Sequence, residues 1–585
     1  MFKIFKQLGW FIKEMKYKYL LALVMLLIGD LFSLAVPWIT GYTIDQMTMR
    51  TLTNSKLTVI VGILAAIIII GYITTGIWNY IFIQNANIVS FKMTKKFFHH
   101  IIRLDGKFFK KYQTGDLMSR ATEDINAVNE AVDFGFFMLG EASLYLTLLL
   151  MSMLFINVKL TIIVLIPILI IPFFVNKLEK TIEKLYEDRQ QSTSLLSNSV
   201  LESIVGVRVI RAYAKEQEDI KKLLDKSKDT YDKNIAFSKI VSLYEPLFIG
   251  VFTLALTLAL IFGIIDVFRS VMTTGRLVTY FIYVIMLQWP IFALGAFINT
   301  LQRGSGSYDR IDAVYEEKSD IITPENPLEI TGIKSIEFKN YSFSYPESTV
   351  KSLSSFSVKV SAGETLGIVG TTGSGKTTVV RQLLRQYESG SGELLINDKS
   401  IVDYEAENIR KYIAYVPQEH IVFSKTVYEN IKLGNENAGN EEVMTAIDHA
   451  DFTKDIHTLS NGLETVTGES GVMLSGGQKQ RLSLARAFVR NGDVLILDDS
   501  LSAVDGKTEE NIIHNITEYY PDMIKIIIAH RLSAVRDADK IIVLQEGIIV
   551  ENGNHDELME LKGWYYDQFI EQNTMTIQED EEAGL

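Results

Sequence analysis

The residues best suited to chemistry are Gly370-Thr371-Thr372-Gly373-Ser374-Gly375-Lys376-Thr377-Thr378, whose types and spacing suit phosphate. Glycines let successive backbone N–H groups converge on phosphate oxygens, and a following helix N-terminus adds partial positive charge. In such a loop the lysine reaches the β- and γ-phosphates and the next hydroxyl ligates Mg²⁺. Those roles fall to Lys376 and Thr377. A second element supplies acid: residues 494–497 (VLIL) form a buried-strand run ending in Asp498-Asp499. The first aspartate after such a strand helps hold Mg²⁺ in phosphate-loop sites, which leaves Asp499 where a base would meet the attacking water. Aspartate is also a common turn residue at strand ends, but the phosphate loop upstream favours the metal role for Asp498.

These residues need elements to position them. The strand-like run 365–369 (TLGIV) leads straight into the glycine loop, and a helical pattern follows it. The second half of the chain alternates short β-branched runs with helical patterns, which predicts a parallel or mixed sheet flanked by helices. The first half differs. A membrane-spanning helix needs about 20 mostly apolar residues. Such stretches run from Tyr19 to Tyr42 (broken only by Asp30), Leu57 to Phe91, Ala142 to Val158, Leu160 to Asn176, Pro246 to Ile265 and Leu277 to Gln302. The expected fold is a six-helix all-α membrane domain over 1–310, a linker over 311–335, and an α/β phosphate-loop domain over 336–585.

Charge fixes the expected orientation. Basic residues crowd the N-terminus and the segments Lys92–Asp133 and Lys177–Glu245, while only Arg50 and Lys56 separate the first two spans. By the excess of basic residues on cytoplasmic loops, the chain is expected in the cell membrane with the N-terminus, both long loops and the C-terminal half on the cytoplasmic side. The first apolar stretch is too long for a cleavable signal peptide. Apolar spacing over 120–132 and 201–213 predicts helices in both long loops, which either touch the C-terminal half or stand as solvated hairpins. The 585 residues include no cysteine, so disulfides, thiolate metal sites and cysteine nucleophiles are excluded. A formal net charge of −13 argues against nucleic acid as a partner.

Leu474-Ser475-Gly476-Gly477-Gln478 lies between the phosphate loop and the acidic strand and matches the signature of ATP-binding-cassette (ABC) proteins. Further motifs follow that family's order. Tyr345 matches the aromatic that stacks on adenine, and Gln418, in YVPQ, the glutamine that senses Mg²⁺ and contacts the membrane domain. Glu469, in TGESG, resembles the exporter motif that meets the cytoplasmic loops. Ser502-Ala503-Val504-Asp505 resembles the loop linking two nucleotide sites, and His530 the histidine that contacts the γ-phosphate. With six spans ahead of the cassette, the chain resembles an ABC exporter half-transporter, and residues 114–124 look like its first coupling loop. The resemblance implies ATP and Mg²⁺ as ligands, a lipid bilayer as surroundings and a second half-transporter as partner. It also implies that ATP lies between one chain's phosphate loop and the other's signature.

Asp499 departs from the pattern, because family members competent in hydrolysis carry glutamate there. Aspartate withdraws the carboxylate by about 1.5 Å, and a 1 Å misplacement can cost on the order of 100-fold in rate. The resemblance is therefore to the degenerate-site subunit of heterodimeric multidrug exporters of Gram-positive bacteria, unless a shifted strand lets Asp499 work. The cargo expected is drug-like or amphipathic. A lipid flippase and a mainly regulatory ATP-binding half-transporter share the same motifs. Asp30 is either a cavity carboxylate that attracts cations, a protonated or hydrogen-bonded helix contact, or a residue nearer the water-filled cavity than the apolar run implies. Tyr283, Met286 and Trp289 belong either to an adaptable binding wall or to ordinary helix packing.

Overall fold

The computed structural model describes residues 3–346, 348–468, 471, 474–502 and 504–583, without the side chains of 172, 175, 176, 294–296 and 575–583. The chain forms two compact units: residues 1–102 with 115–316, and residues 103–114 with 317–585.

The first unit is helical. Its long helices are α1 (Lys16–Thr48), α2 (Asn54–Ile101), α3 (Thr114–Ile156), α4 (Val158–Leu169), α5 (Ile171–Val205), α6 (Glu216–Phe268) and α7 (Thr274–Glu316). Among the described residues, α1, α2, α3, α6 and α7 are long and apolar enough to cross a membrane. The fourth expected span is instead split: α4 ends at Leu169, Ile170 leaves the helix, and α5 resumes with a proline in its first turn. Pro167 and Pro172 flank the break, and prolines remove the N–H groups a continuous helix would use. The loop helix expected over 120–132 is present, but as part of α3 with π-helical turns at Arg120–Asp124 and Ala131–Gly135. The one over 201–213 breaks at Gly206, between α5 and a short helix Val207–Ala212.

Two corrections follow. Residues 114–124, read as a coupling loop, are the start of α3. The segment that joins the second unit is 103–114, with its short helix Gly106–Lys111. There Asp105 caps that helix through Phe108 N at 3.3 Å and accepts from Asp320 N at 2.7 Å, and Gly106 N donates to the Gln386 carbonyl at 2.8 Å. The helical unit also extends past residue 310, because α7 continues to Glu316.

One crossing is tightly built. The Asp45 carboxylate, near the end of α1, accepts from Thr273 Oγ1 at 2.6 Å and Gly275 N at 2.7 Å at the start of α7. Further along, Thr279 donates to the Pro37 carbonyl at 2.9 Å, and Tyr283 to the Leu34 carbonyl at 2.8 Å. A Cβ on Gly275 would collide with the Gly41 carbonyl. Small residues there let the two backbones approach closely enough for these bonds.

The second unit contains two sheets. β1 (Ser335–Phe343), β2 (Leu353–Ser361), β4 (Ser391–Ile396) and β5 (Lys399–Ser400) form an antiparallel sheet in the order β2-β1-β4-β5. The other sheet contains β3 (Thr365–Gly370), β6 (Ile413–Val416), β7 (Val494–Asp498), β8 (Ile524–Ile528), β9 (Lys540–Gln545) and β10 (Ile548–Gly553). Its order is β10-β9-β3-β8-β7-β6, parallel throughout except for β10. Central parallel strands are covered on both faces, and β7 and β8 are buried at every position. Alternate side chains feed opposite cores: Val494 and Ile496 join the core with Ile368, while Leu495 and Leu497 join the one with Val369.

Candidate functional site

Parallel strands place the loops after their carboxyl ends along one sheet edge, where open α/β sheets bind ligands. The loops after β3, β6, β7 and β8 carry Gly370–Gly375, Gln418, Asp498-Asp499 and His530. The sheet order therefore gathers side chains that lie far apart in sequence.

The phosphate loop has the required backbone. Gly370, Gly373 and Gly375 have φ of +141°, +81° and +104°, a region that side chains disfavour. α8 (Lys376–Leu383) starts directly after Gly375. Lys376 is buried and its Nζ donates to the Gly370 and Thr371 carbonyls at 2.8 and 2.9 Å. Burial pulls its pKa below the usual lysine value, while Asp499 and Asp498 oppose that shift. Ser374 Oγ is buried without a hydrogen-bond partner among the described residues. Such an orphan oxygen, amid the loop's backbone N–H groups, fits a phosphate ligand. Thr371, Thr372 and Gly373 are exposed on the loop's rim.

Thr377 Oγ1 donates to Asp498 Oδ1 at 3.1 Å, so the hydroxyl and carboxylate expected to share Mg²⁺ already meet. Burial raises the Asp498 pKa, against hydrogen bonds from Thr377 and Tyr415. A cation at that point would offset the cost of holding the carboxylate ionised away from water. Asp499 has a left-handed backbone, φ +50°, its N–H donates to the Ile528 carbonyl at 2.9 Å, and Gln418 Nε2 donates to its Oδ2 at 3.3 Å. His530 is exposed and lines the same cleft as Asp499. Its carbonyl accepts from Gln572 at 3.0 Å.

Tyr345 is half-buried beside α8. Its hydroxyl lies 3.1 Å from Thr378 Oγ1, and its ring sits edge-on to Phe343 and Tyr387 at 5.1 Å from each. The signature is separate. Leu474 is buried, and Ser475 and Gln478 form a reciprocal capping box that starts α9 (Gly476–Phe488). Gln478 also reaches Asp455, which Arg481 holds at 2.6 Å. Gly476 faces open space. Among the described residues no hydrogen bond joins Ser475–Gln478 to the phosphate loop. Glu469 and Ala503 lie outside the described residues.

Several neighbours were not singled out from sequence. Arg381, one helical turn beyond Thr377, donates to the Tyr345 hydroxyl at 3.2 Å. Tyr415 donates to Asp498 Oδ2 at 3.4 Å from the adjacent strand. His420 is turned towards Asp499, and burial holds its pKa below the usual histidine value. Helical spacing from Thr377 could have found Arg381, but only strand order could have found Tyr415.

The membrane-domain candidates divide. Asp30 is buried, Met286 half-buried, and Trp289 48% exposed. Tyr283 is a buried helix contact bonded to Leu34, and it also borders a cavity of about 440 Å³ lined by Trp38, Tyr42, Asp45, Phe155 and Arg276.

Comparison with known proteins agrees with this architecture. Residues 19–291 match the ABC transporter transmembrane region, and residues 353–502 the ABC transporter family. The chain is 39% identical over 580 residues to the probable multidrug resistance ABC transporter ATP-binding/permease protein YheI of Bacillus subtilis, covering 99% of each chain. It is 31% identical over 568 residues to the multidrug resistance-like ATP-binding protein MdlA of Escherichia coli, covering 97% of this chain and 96% of that one. In fold it is similar to a bacterial Atm1-family ABC exporter solved with ATP bound, with a TM-score of 0.79 at 24% identity, covering 95% and 98%.

Proposed function

The chain belongs to the ABC transporter family, as an ATPase-coupled exporter chain with one membrane domain and one ATP-binding domain, and on that premise we propose that it is the hydrolytically slow half of a heterodimeric exporter of amphipathic, drug-like compounds. Asp499 carries this reading. A carboxylate one methylene short of glutamate, held by Gln418 and by a left-handed backbone, would stand back from a bound γ-phosphate.

Lys376 releases the Gly370 and Thr371 carbonyls to bind the β- and γ-phosphates, and Ser374 and the loop N–H groups complete the cradle. Thr377, Asp498 and Gln418 would hold Mg²⁺, which would neutralise phosphate charge. Thr378 and Arg381 fix the hydroxyl of Tyr345, whose ring offers a face to adenine. His530 approaches the terminal phosphate from the end of β8. Leu474, Ser475, Gly476, Gly477 and Gln478 complete the partner's site, where a glutamate drives turnover.

Closure of the cassettes opens the membrane domain outward only if the closed pair holds nucleotide more tightly than the open pair. The excess of basic residues in the long loops supports a cytoplasmic N-terminus and nucleotide-binding domain. The names of YheI and MdlA support drug-like cargo. Phosphate release by the purified chain alone, beside Asp499→Glu, tests the proposal. We expect near-zero turnover alone and a gain on the order of 100-fold with glutamate. Brisk turnover by the unmodified chain would make Asp499 a working base and the molecule a homodimer.

A further inference from the structure

The helical unit holds a group of polar side chains that nucleotide chemistry does not use. Asp30 in α1 is 8% exposed, and its Oδ2 is buried with no hydrogen-bond partner. Glu141 in α3 likewise has a buried, partnerless Oε2 and lies within the electrostatic reach of Asp30. The Trp289 side chain of α7 lies close enough to Glu141 to act on it. Tyr145, one turn beyond Glu141, hydrogen-bonds Ser33, nearly one turn beyond Asp30, and senses both carboxylates.

The helix lengths bring these residues to one level. Asp30 and Glu141 precede the ends of their helices at Thr48 and Ile156 by about the distance at which Trp289 follows the start of α7 at Thr274, roughly 22–27 Å at 1.5 Å per residue. Among the described residues, neither carboxylate forms an ion pair with lysine, arginine or histidine.

Two carboxylates within electrostatic reach of each other, each with one buried oxygen unanswered, are stabilised as anions by a nearby positive charge. A hard metal ion fits poorly, since Ca²⁺ takes six to eight oxygen ligands. No group of three acidic, histidine or cysteine side chains able to hold a metal occurs among the described residues. The neighbours are instead an indole and a phenol, whose faces attract organic cations. We propose that Asp30 and Glu141, walled by Tyr145 and Trp289, form a recognition site for organic cations, an ammonium or amidinium carried on an aromatic body. The inference rests on the exporter reading and gives it a substrate class.

The test uses the assembled transporter in inverted membrane vesicles, with ATP-dependent uptake of ethidium (a cation) and of calcein acetoxymethyl ester (uncharged). Asp30→Asn and Glu141→Gln should each raise the half-saturating ethidium concentration about tenfold. The neutral probe should shift by less than about twofold. Equal losses for both probes, or unchanged ethidium uptake, would overturn the site.

A second measurement avoids variants. Labelling of Asp30 and Glu141 in the unmodified protein by a hydrophobic carbodiimide, read by peptide mass, should fall when ethidium is present and not when the neutral probe is. Labelling that ethidium leaves unchanged would also overturn the site. If the unmodified transporter moves neither probe with ATP, the exporter reading fails, while protection from carbodiimide still decides the cation site by itself.

Discussion

On the proposed reading of Asp499, a single methylene separates a working residue from an idle one. Its left-handed backbone would cost a typical residue about 1–2 kcal/mol, and its N–H is fixed to Ile528, so the main chain has little freedom to carry the shorter carboxylate forward. Beside it, His420 gives the site a pH signature. Burial lowers the His420 pKa, so the folded state binds fewer protons there than the unfolded one. Its contribution to stability is therefore fully present above the ordinary histidine value, about 6.5, and is lost as pH falls from there through the lowered folded value. His449 is lowered by burial in the same way and adds to the loss. Thermal unfolding followed from pH 7.5 to pH 5 should show a falling midpoint, and His420→Asn should flatten part of that fall and leave the His449 part. An unchanged slope would mean that His420 is solvated. The sequence made Asp499 legible because a motif surrounds it. His420 and Glu141 were silent there, since a single polar residue beside a loop or at the edge of an apolar run carries no pattern.

Elements were legible where one physical rule dominated. Freedom from charge over about 20 residues marked the spans, and β-branched runs marked β3, β7 and β8, whose burial on both faces admits little else. The rule failed where two effects met. The run from Leu160 to Asn176 is apolar enough for a span, yet its two prolines split it into α4 and α5. Residues 114–124 have loop-like polarity, yet Arg120 and Arg310 hold them in a helix through Asp116 and Asp124. The contact between α1 and α7 was also hidden, because it depends on which small residues face each other. Asp45 accepts two hydrogen bonds across it, one of them from a backbone N–H. Asp45→Ala should therefore lower stability by about 1–3 kcal/mol, read as a lower unfolding midpoint in detergent. Asp45→Asn keeps an acceptor oxygen and should lose less. Equal losses would mean that packing, rather than the hydrogen bonds, joins the helices. Gly275→Leu should be worse than either, because its side chain meets the Gly41 carbonyl directly.

At the scale of the whole molecule, one chain carries one phosphate loop and one signature, and the two make no hydrogen bond to each other among the described residues. The capping box of Ser475 and Gln478 presents the start of α9 with Gly476 open, a surface complete in itself and lacking only the phosphate it would face. If Asp499 turns over slowly, nucleotide on this chain's loop outlasts the partner's cycle and holds that pair of surfaces together while the other pair opens. Contact between the cassettes should then depend on binding and not on hydrolysis. The absence of cysteine makes this directly measurable, because an engineered thiol is the only thiol this chain carries. With Ser502→Cys here, a matching cysteine in a partner half that lacks its own catalytic glutamate, and copper phenanthroline as oxidant, the disulfide should form with ATP as fast as it does with the glutamate present. A cross-link that forms only when the partner hydrolyses ATP would remove the case for retained nucleotide. It would return Asp499 to the role of an ordinary, if short, catalytic base.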